Sequence, residues 1–468
     1  MVAINIFLND RIGTLLDAIL ANTTWNIKVL IVQDDEMKKQ YSDNKRIDEI
    51  YSALEFQELC DITNIDYELL CKYETCFRPL SNGLYRVRTD YQYVRYQYYI
   101  GISVWEGIFN KYNIDCCVIN GLVHGITYDY LMFMVAKNRN IPGFLLFDFE
   151  NGVRDIMTMY EGWGSKLICV PEEDRDISIG NIVKQDAYYI SINLGAGGNR
   201  SLARKLIDKL CYRYFGIGPG YLLQCLKKHS FYFEWYEGRK IKTFLPNFFY
   251  ELVMWKKILE KNIRCYEHPN YNKKYAVYFV HLEPEATMVH YATYMDSQLI
   301  AIKMLSAALP NGWELYVKEH PDTHKLNSAG WSHFIEFYNS YNSIWYWNEI
   351  RSVPRVKLIN VSESATKLIH QSQVVATFSG TVIEECLNEN KPCLIFGDSR
   401  KIVYSQISGM YNISSYSDCC FALKEISSGN WKGYNDINTV LSKYIVKNDT
   451  NGYKLFIRLV EKTLVEVV

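Results

Sequence analysis

Nowhere does the sequence run for about eighteen residues without a charge, the length an apolar helix needs to cross a bilayer, so no membrane-spanning segment is expected. The first residues, MVAINIFLNDRIGTLLDAILAN, lack the basic start and long apolar stretch of a secretory signal, so no signal peptide is expected. Net charge is almost absent, with 51 Lys and Arg against 52 Asp and Glu. That balance supplies no basic field for a nucleic acid, so any anion must be recognised by local charge. The 13 cysteines lack the paired short spacings of a zinc site, and the adjacent pairs Cys116-Cys117 and Cys419-Cys420 have no second partner pair. Reduced, buried thiols in a cytoplasmic protein and no bound metal are the expectation. Internal repeats and low-complexity tracts are also missing.

Aromatic residues, by contrast, are abundant: 38 Tyr, 21 Phe and 10 Trp. Core packing is the plain reading, with sugar-stacking surfaces or a membrane-facing patch as the functional ones. A chain of 468 residues is too long for one ordinary core, which predicts two or three domains. Apolar runs alternate with amphipathic ones from INIFL through IKVLIVQD and CCVINGLVHG to GFLLFDFENG, the pattern of strands joined by crossover helices. Residues 1–225 therefore read as one α/β domain and 226–274, rich in aromatics and lysine, as a connection. A second αβ series occupies 275–434: YAVYFV, a helix from Asp296 to Leu309, LYVKEHP, a helix near 331–342, VKLIN, a helix near 363–371, VVATFSG, a helix near 382–390, and CLIFGD. Residues 435–468 read as a helical segment able to pack back across the junction.

Polar residues gather where these runs end. Lys318, His320 and Pro321 close the strand GWELYVKEHP, and the proline ends the ladder and holds the chain extended. Both the imidazole and the ammonium donate to phosphate oxygens. Ser379, Gly380 and Thr381 lie between VVATF and the next helix, where hydroxyls and free N–H groups face an anion. Thr381 and Glu384 also fit a capping box. One position on, Glu385 is placed to accept hydrogen bonds from ribose hydroxyls. His281 and Glu283, in HLEPE after YAVYFV, add a third polar strand end. Convergence at the carboxyl edge of a sheet is what a pocket requires, and the ends after LYV and VVATF are expected on neighbouring strands.

In the first half, Asp148, Glu150 and Asn151 follow the apolar strand of FDFENG. A carboxylate there could serve as general base toward a hydroxyl once burial raises its pKa. His124, after CCVINGLV, is the other candidate for proton handling. The run Gly195-Ala196-Gly197-Gly198 does not match the dinucleotide fingerprint and reads as a turn.

Taken in order, HLEPEAT, LPNGWELYVKEHPD, VKLIN, SATKLIHQSQVVATFSGT and ENKPCLIFGD resemble the bacterial capsule polysaccharide biosynthesis glycosyltransferases, relatives of the β-Kdo transferases. The resemblance covers roughly residues 275–404, with a thinner extension at VHGITYDYL and FENGVRDIMTM. It implies a GT-B architecture, two Rossmann-like domains facing across a cleft, with the nucleotide of a nucleotide-sugar donor (CMP-linked in the Kdo relatives) held by the C-terminal domain. By that resemblance His320 matches the His-Pro motif, Ser379, Gly380 and Thr381 the small hydroxyl motif, Glu385 the helix glutamate and Glu150 the first acid of an acid-then-glycine motif. Asn151 stands where the Kdo transferases often carry a second acid, and Ile383 and Cys386 replace the small residues usual around Glu385. The expected activity is metal-independent sugar transfer to a surface-polysaccharide or lipid-linked glycan acceptor, without a cofactor and at the inner face of the membrane. The alternatives are a nucleotide-sugar epimerase or hydrolase on the same scaffold and a non-catalytic glycan-assembly protein.

Overall fold

Strands in which nearly every residue is apolar need a cover on both faces, and the chain builds two such sheets. The computed structural model describes residues 4–10, 13–52, 55–56, 59, 67–73, 91–120, 129–148, 156–162, 166–179, 230–233, 236–240, 253–254, 257–258, 260–281, 297–320, 343–378, 380–396 and 403–467. Contacts within the chain divide it into unit 1, Met1–Leu84 with Asp90–Asn181 and Asn438–Val468, and unit 2, Tyr85–Thr89 with Ile182–Ile437.

Unit 1 begins β1 (Asn5–Asp10), α1 (Thr14–Asn22), β2 (Asn26–Val32), α2 (Asp35–Tyr41) and β3 (Ile47–Ser52). It continues with α3 (Tyr91–Lys111), β4 (Cys116–Asn120), α4 (Asp129–Asn138), β5 (Gly143–Asp148), β6 (Ile156–Glu161) and β7 (Lys166–Leu167). Local chemistry sets the boundaries: the Asp34 carboxylate accepts from the N–H groups of Glu36 and Met37 and starts α2. The parallel strands lie in the order β3-β2-β1-β4-β5, with β6 antiparallel at the β5 side. One face of the sheet holds Phe7 against Trp105 of α3, edge to face at 4.9 Å. On the other, Ile6, Leu8 and Phe144 pack with Leu16 and Ile19 of α1. Burying each such side chain stabilises by roughly 1.5–3 kcal/mol.

Unit 2 holds a hairpin, β8 (Ser230–Phe233) with β9 (Tyr236–Lys240), and then the main sheet. Its elements are β10 (Tyr275–Phe279), α5 (Gln298–Ala308), β11 (Glu314–Lys318), α6 (Ile344–Ser352), β12 (Val356–Ile359) and α7 (Ala365–Gln371). They are followed by β13 (Val374–Thr377), α8 (Val382–Asn388), β14 (Cys393–Phe396), β15 (Met410–Ile413) and α9 (Tyr416–Ser427). Ser343, Ser364 and Ser415 cap α6, α7 and α9 by accepting from N–H groups three residues on. The strands run β12-β11-β10-β13-β14-β15, all parallel. Counted from β10 as the first strand this is 3-2-1-4-5-6, the Rossmann order, and unit 1 repeats its 3-2-1-4-5 part. Both units are therefore Rossmann-like. Tyr278, Val317 and Ala376 pack on one face with Ile302 and Leu305 of α5, Trp347 of α6 and Leu423 of α9.

The chain then returns to unit 1 through α10 (Ile437–Tyr444), β16 (Ile445–Lys447) and α11 (Thr450–Val467). β16 pairs antiparallel with β6, and Phe456 and Val460 of α11 enter the unit 1 core, where Phe456 meets Phe144 edge to face at 6.4 Å. Trp25 Nε1 donates to the Glu461 carboxylate at 3.1 Å, and Arg458 donates to Asp174 at 2.9 Å. The helix predicted near 331–342 lies outside the described residues, and α6 follows it.

Candidate functional site

The carboxyl edge of the unit 2 sheet carries the sequence-predicted residues that the structure describes. Register sets their level: Phe279 of β10 is paired with both Lys318 of β11 and Thr377 of β13. The two motif-bearing strands are thus not neighbours, as the sequence reading had them. β10 lies between, so their ends are roughly 10 Å apart at the usual strand spacing. The reason is the topology: the crossover from β12 to β13 passes to the far side of β10, and the strand order reverses there. Ligands of doubly wound sheets bind at that reversal, between the first and fourth strands. His281 follows β10 by two residues at this point, and Gly380 and Thr381 follow β13.

Lys318 is 3% exposed and donates one hydrogen bond, 2.9 Å to the Val361 carbonyl just beyond β12. An ammonium has three N–H groups, so among the described residues it keeps donors in hand. Burial pushes it down to about 8, and the carboxylates of Glu319, Glu363 and Glu385 offset part of that shift. Glu385, half-buried on α8, is pushed up to about 7 by burial and by Glu384 and Glu389, against the pull of Lys318. Lys318 and Glu385 therefore lie in each other's field.

Glu319 points the other way, as alternation along a strand requires. Its carboxylate is 1% exposed and accepts from Asn262 Nδ2 at 2.7 Å and from the Tyr266 hydroxyl at 2.9 Å. It anchors the strand to residues 262–266. His320 follows, half-buried.

The capping box expected of Thr381 and Glu384 does not form. Thr381 has helical dihedrals, φ −58° and ψ −14°, and makes no capping bond with its side chain. An N-cap hydroxyl reaches the helix amides from an extended backbone. Glu384 is 8% exposed and accepts from the Tyr404 hydroxyl at 2.9 Å. A methyl group at Gly380 would meet Thr377 Oγ1 at 3.4 Å and Val382 Cγ1 at 3.5 Å, ordinary contacts, so the fold does not itself demand glycine there.

Gln298, which opens α5 and is fully buried, was missed by the sequence reading. Its Oε1 accepts from the His281 N–H at 2.6 Å and its Nε2 donates to the His281 carbonyl at 2.9 Å. A glutamine as first residue of an otherwise apolar helix face, QLIAIKMLSAA, was the available signal. Of the remaining predicted site residues, Glu283, Pro321 and Ser379 in unit 2 and His124 and Glu150 in the first half lie outside the described residues. Among the described residues no three His, Cys, Asp or Glu side chains gather as metal ligands, and no helix is long and apolar enough to cross a membrane.

No protein-family model matches the chain, and no curated protein does. Among solved structures it is similar to KpsC, a β-Kdo 2,7 transferase of Thermosulfurimonas dismutans, at 12% identity over 76% of this chain and 88% of that one, with a TM-score of 0.31. It is also similar to the UDP-GlcNAc 2-epimerase of Neisseria meningitidis, at 12% identity over 98% and 100% of the two chains and a TM-score of 0.26. The UDP-N-acetylglucosamine 2-epimerase of Rickettsia bellii gives 13% identity over 100% and 98%, with a TM-score of 0.27.

Proposed function

We propose that the chain is a GT-B type glycosyltransferase that takes the nucleotide of a nucleotide-sugar donor at the carboxyl edge of unit 2 and passes the sugar to a surface-polysaccharide or lipid-linked glycan hydroxyl. The observation that carries this reading is a buried cation, Lys318, kept in the field of Glu385 at the strand-order reversal of a Rossmann sheet. An ammonium held out of water at a cost is a group kept for an anion. In this scheme Lys318 and His320 meet the charge that develops on the departing phosphate, together with Ser379, Gly380 and Thr381 at the start of α8. The Thr381 hydroxyl, unused in capping, is one such donor. Glu385, His281 and Glu283 are the groups assigned to the ribose and sugar, and Pro321 completes the motif after His320. Glu150 or His124 of the first half deprotonates the acceptor. Because fixed donors carry the neutralisation, activity should survive a chelator.

The test is a thermal-shift screen against CMP, UDP, GDP and dTDP. A nucleotide that binds should stabilise by about 2.7 kcal/mol at a hundredfold excess over Kd, and His320→Ala should abolish that shift. An unchanged shift in the variant would remove His320 from the site, and no shift with any nucleotide would sink the reading. Release of free or epimerised sugar from the matching donor without an acceptor would favour hydrolase or epimerase chemistry instead.

A further inference from the structure

Unit 1 has the same reversal of strand order, between β1 and β4, and the same first strand running into a helix. In a Rossmann unit the start of that helix takes a phosphate, because its N–H groups are unpaired within the helix and carry the positive end of its dipole. Here two donors of that turn, the Gly13 and Leu16 N–H groups, are already used. Asp10, the last residue of β1, is fully buried. Its Oδ1 accepts from the Gly13 N–H at 3.0 Å and its Oδ2 from the Leu16 N–H at 2.7 Å. Asn120, last residue of β4 and paired in register with Asp10 across the reversal, donates its Nδ2 to Oδ1 at 3.0 Å.

The backbone is shaped to this arrangement. Gly13 precedes α1 at φ +84°, a left-handed conformation that glycine adopts without strain, and a side chain there would also press on Met37 at 3.0 Å. Gly13 supplies no capping side chain, so the strand's own carboxylate does the capping. Nearby, the Tyr41 phenol is pushed up by burial and by Asp17 and Asp10, and it donates to Asp17 at 2.8 Å. A second anion arriving at this turn would meet like charge and find these donors taken.

We propose that Asp10 is a resident anion that stands where a Rossmann unit takes its ligand's phosphate, so that unit 1 is closed to phosphate at its switch point. The closure rests on unit 1 alone. Only its corollary, that nucleotide goes to unit 2, rests on the proposed function.

Asp10→Gly in the full chain leaves Gly13 N–H, Leu16 N–H and Asn120 Nδ2 around a space the size of a carboxylate. The variant should lose roughly 5 °C or more in Tm, and tens of millimolar formate should recover at least half of that loss while leaving the parent protein unmoved. Formamide, of the same size but neutral, should not. Equal recovery by formamide, or none by formate, would overturn the role of an anion. Should Asp10→Gly fail to fold, the parent protein still decides: hydrogen exchange at Gly13 and Leu16 should be the same with and without saturating inorganic phosphate. Slower exchange there would mean that a ligand phosphate enters, and the proposal would fall. Absence of nucleotide binding anywhere would count against the function proposed for unit 2 and leave the formate result standing.

Discussion

The two units share a strand order but treat their first βα connection in opposite ways. In unit 1 three residues separate Asp10 from Thr14, and a carboxylate takes two N–H groups at the helix start. In unit 2 residues 280–297 separate Phe279 from Gln298, and the buried group at the helix start is a neutral amide committed to the His281 backbone. Charge in unit 2 sits one strand over, on a lysine that burial destabilises. A common fold therefore does not give a common ligand capacity. One unit turns a buried carboxylate onto its own helix start, and the other buries a cation at the edge of its sheet.

The sharpest way to break this comparison is hydrogen exchange with a bound nucleotide. Saturating ligand should protect the ends of β11 and β13 and the start of α8 by up to about 2.7 kcal/mol at a hundredfold excess over Kd, with no change at β1 and α1. Protection of α1 instead would reverse the roles assigned to the units.

A smaller effect is expected from Lys318→Met, which replaces the buried ammonium with an apolar chain of similar length. A lysine whose folded pKa is depressed costs stability below that pKa, and the cost is relieved as pH rises from about 8 toward 10.5, where the unfolded chain still holds the proton. Glu385 has the opposite sign: its folded pKa is raised, so stability falls as pH rises from 4.5 to about 7. The Met variant should therefore be more stable at pH 7 by on the order of 1–3 kcal/mol, should lose the stability gain above pH 8 seen in the parent, and should no longer respond to nucleotide. Chemical denaturation across pH 5–10 checks this, and a destabilised variant at pH 7 would mean that Lys318 is a structural cation.

The smallest change in stability is expected from Gly380→Ala. The contacts a methyl group would meet are ordinary, so folding free energy should move by less than about 1 kcal/mol. Nucleotide affinity should nonetheless fall at least tenfold if the backbone there approaches a phosphate. Unchanged affinity by calorimetry would take Gly380 out of the site.

Strands with both faces covered were legible because nearly every residue in them is apolar, as in VVAT of β13 and CLIF of β14, buried throughout. Several strands that the sequence does not disclose are edge or half-exposed ones. β3, IDEIYS, buries only Ser52 fully. β15, MYNI, exposes its asparagine. β16 is three residues long and finds its partner only when the end of the chain returns to β6. Helix starts at Ser343, Ser364 and Ser415 are local devices, but the Thr381–Glu384 box failed because Thr381 takes helical dihedrals, while Glu384 meets the hydroxyl of Tyr404, twenty residues away. The seal at Asp10 has a local half in Gly13 and Leu16 and a remote half in Asn120, 110 residues on, which no local pattern discloses.

Two Rossmann-like units and the polar strand ends of the second were determined by the sequence itself, since hydrophobic periodicity and strand-terminal polar residues are short-range properties of the chain. Which strands became neighbours, and with them the separation of Lys318 from Gly380 by β10, the field joining Lys318 to Glu385 and the closing of unit 1 by Asp10 and Asn120, was decided by tertiary structure. Those relations are set by the order in which crossovers lay strands side by side, and burial then turns that order into charge.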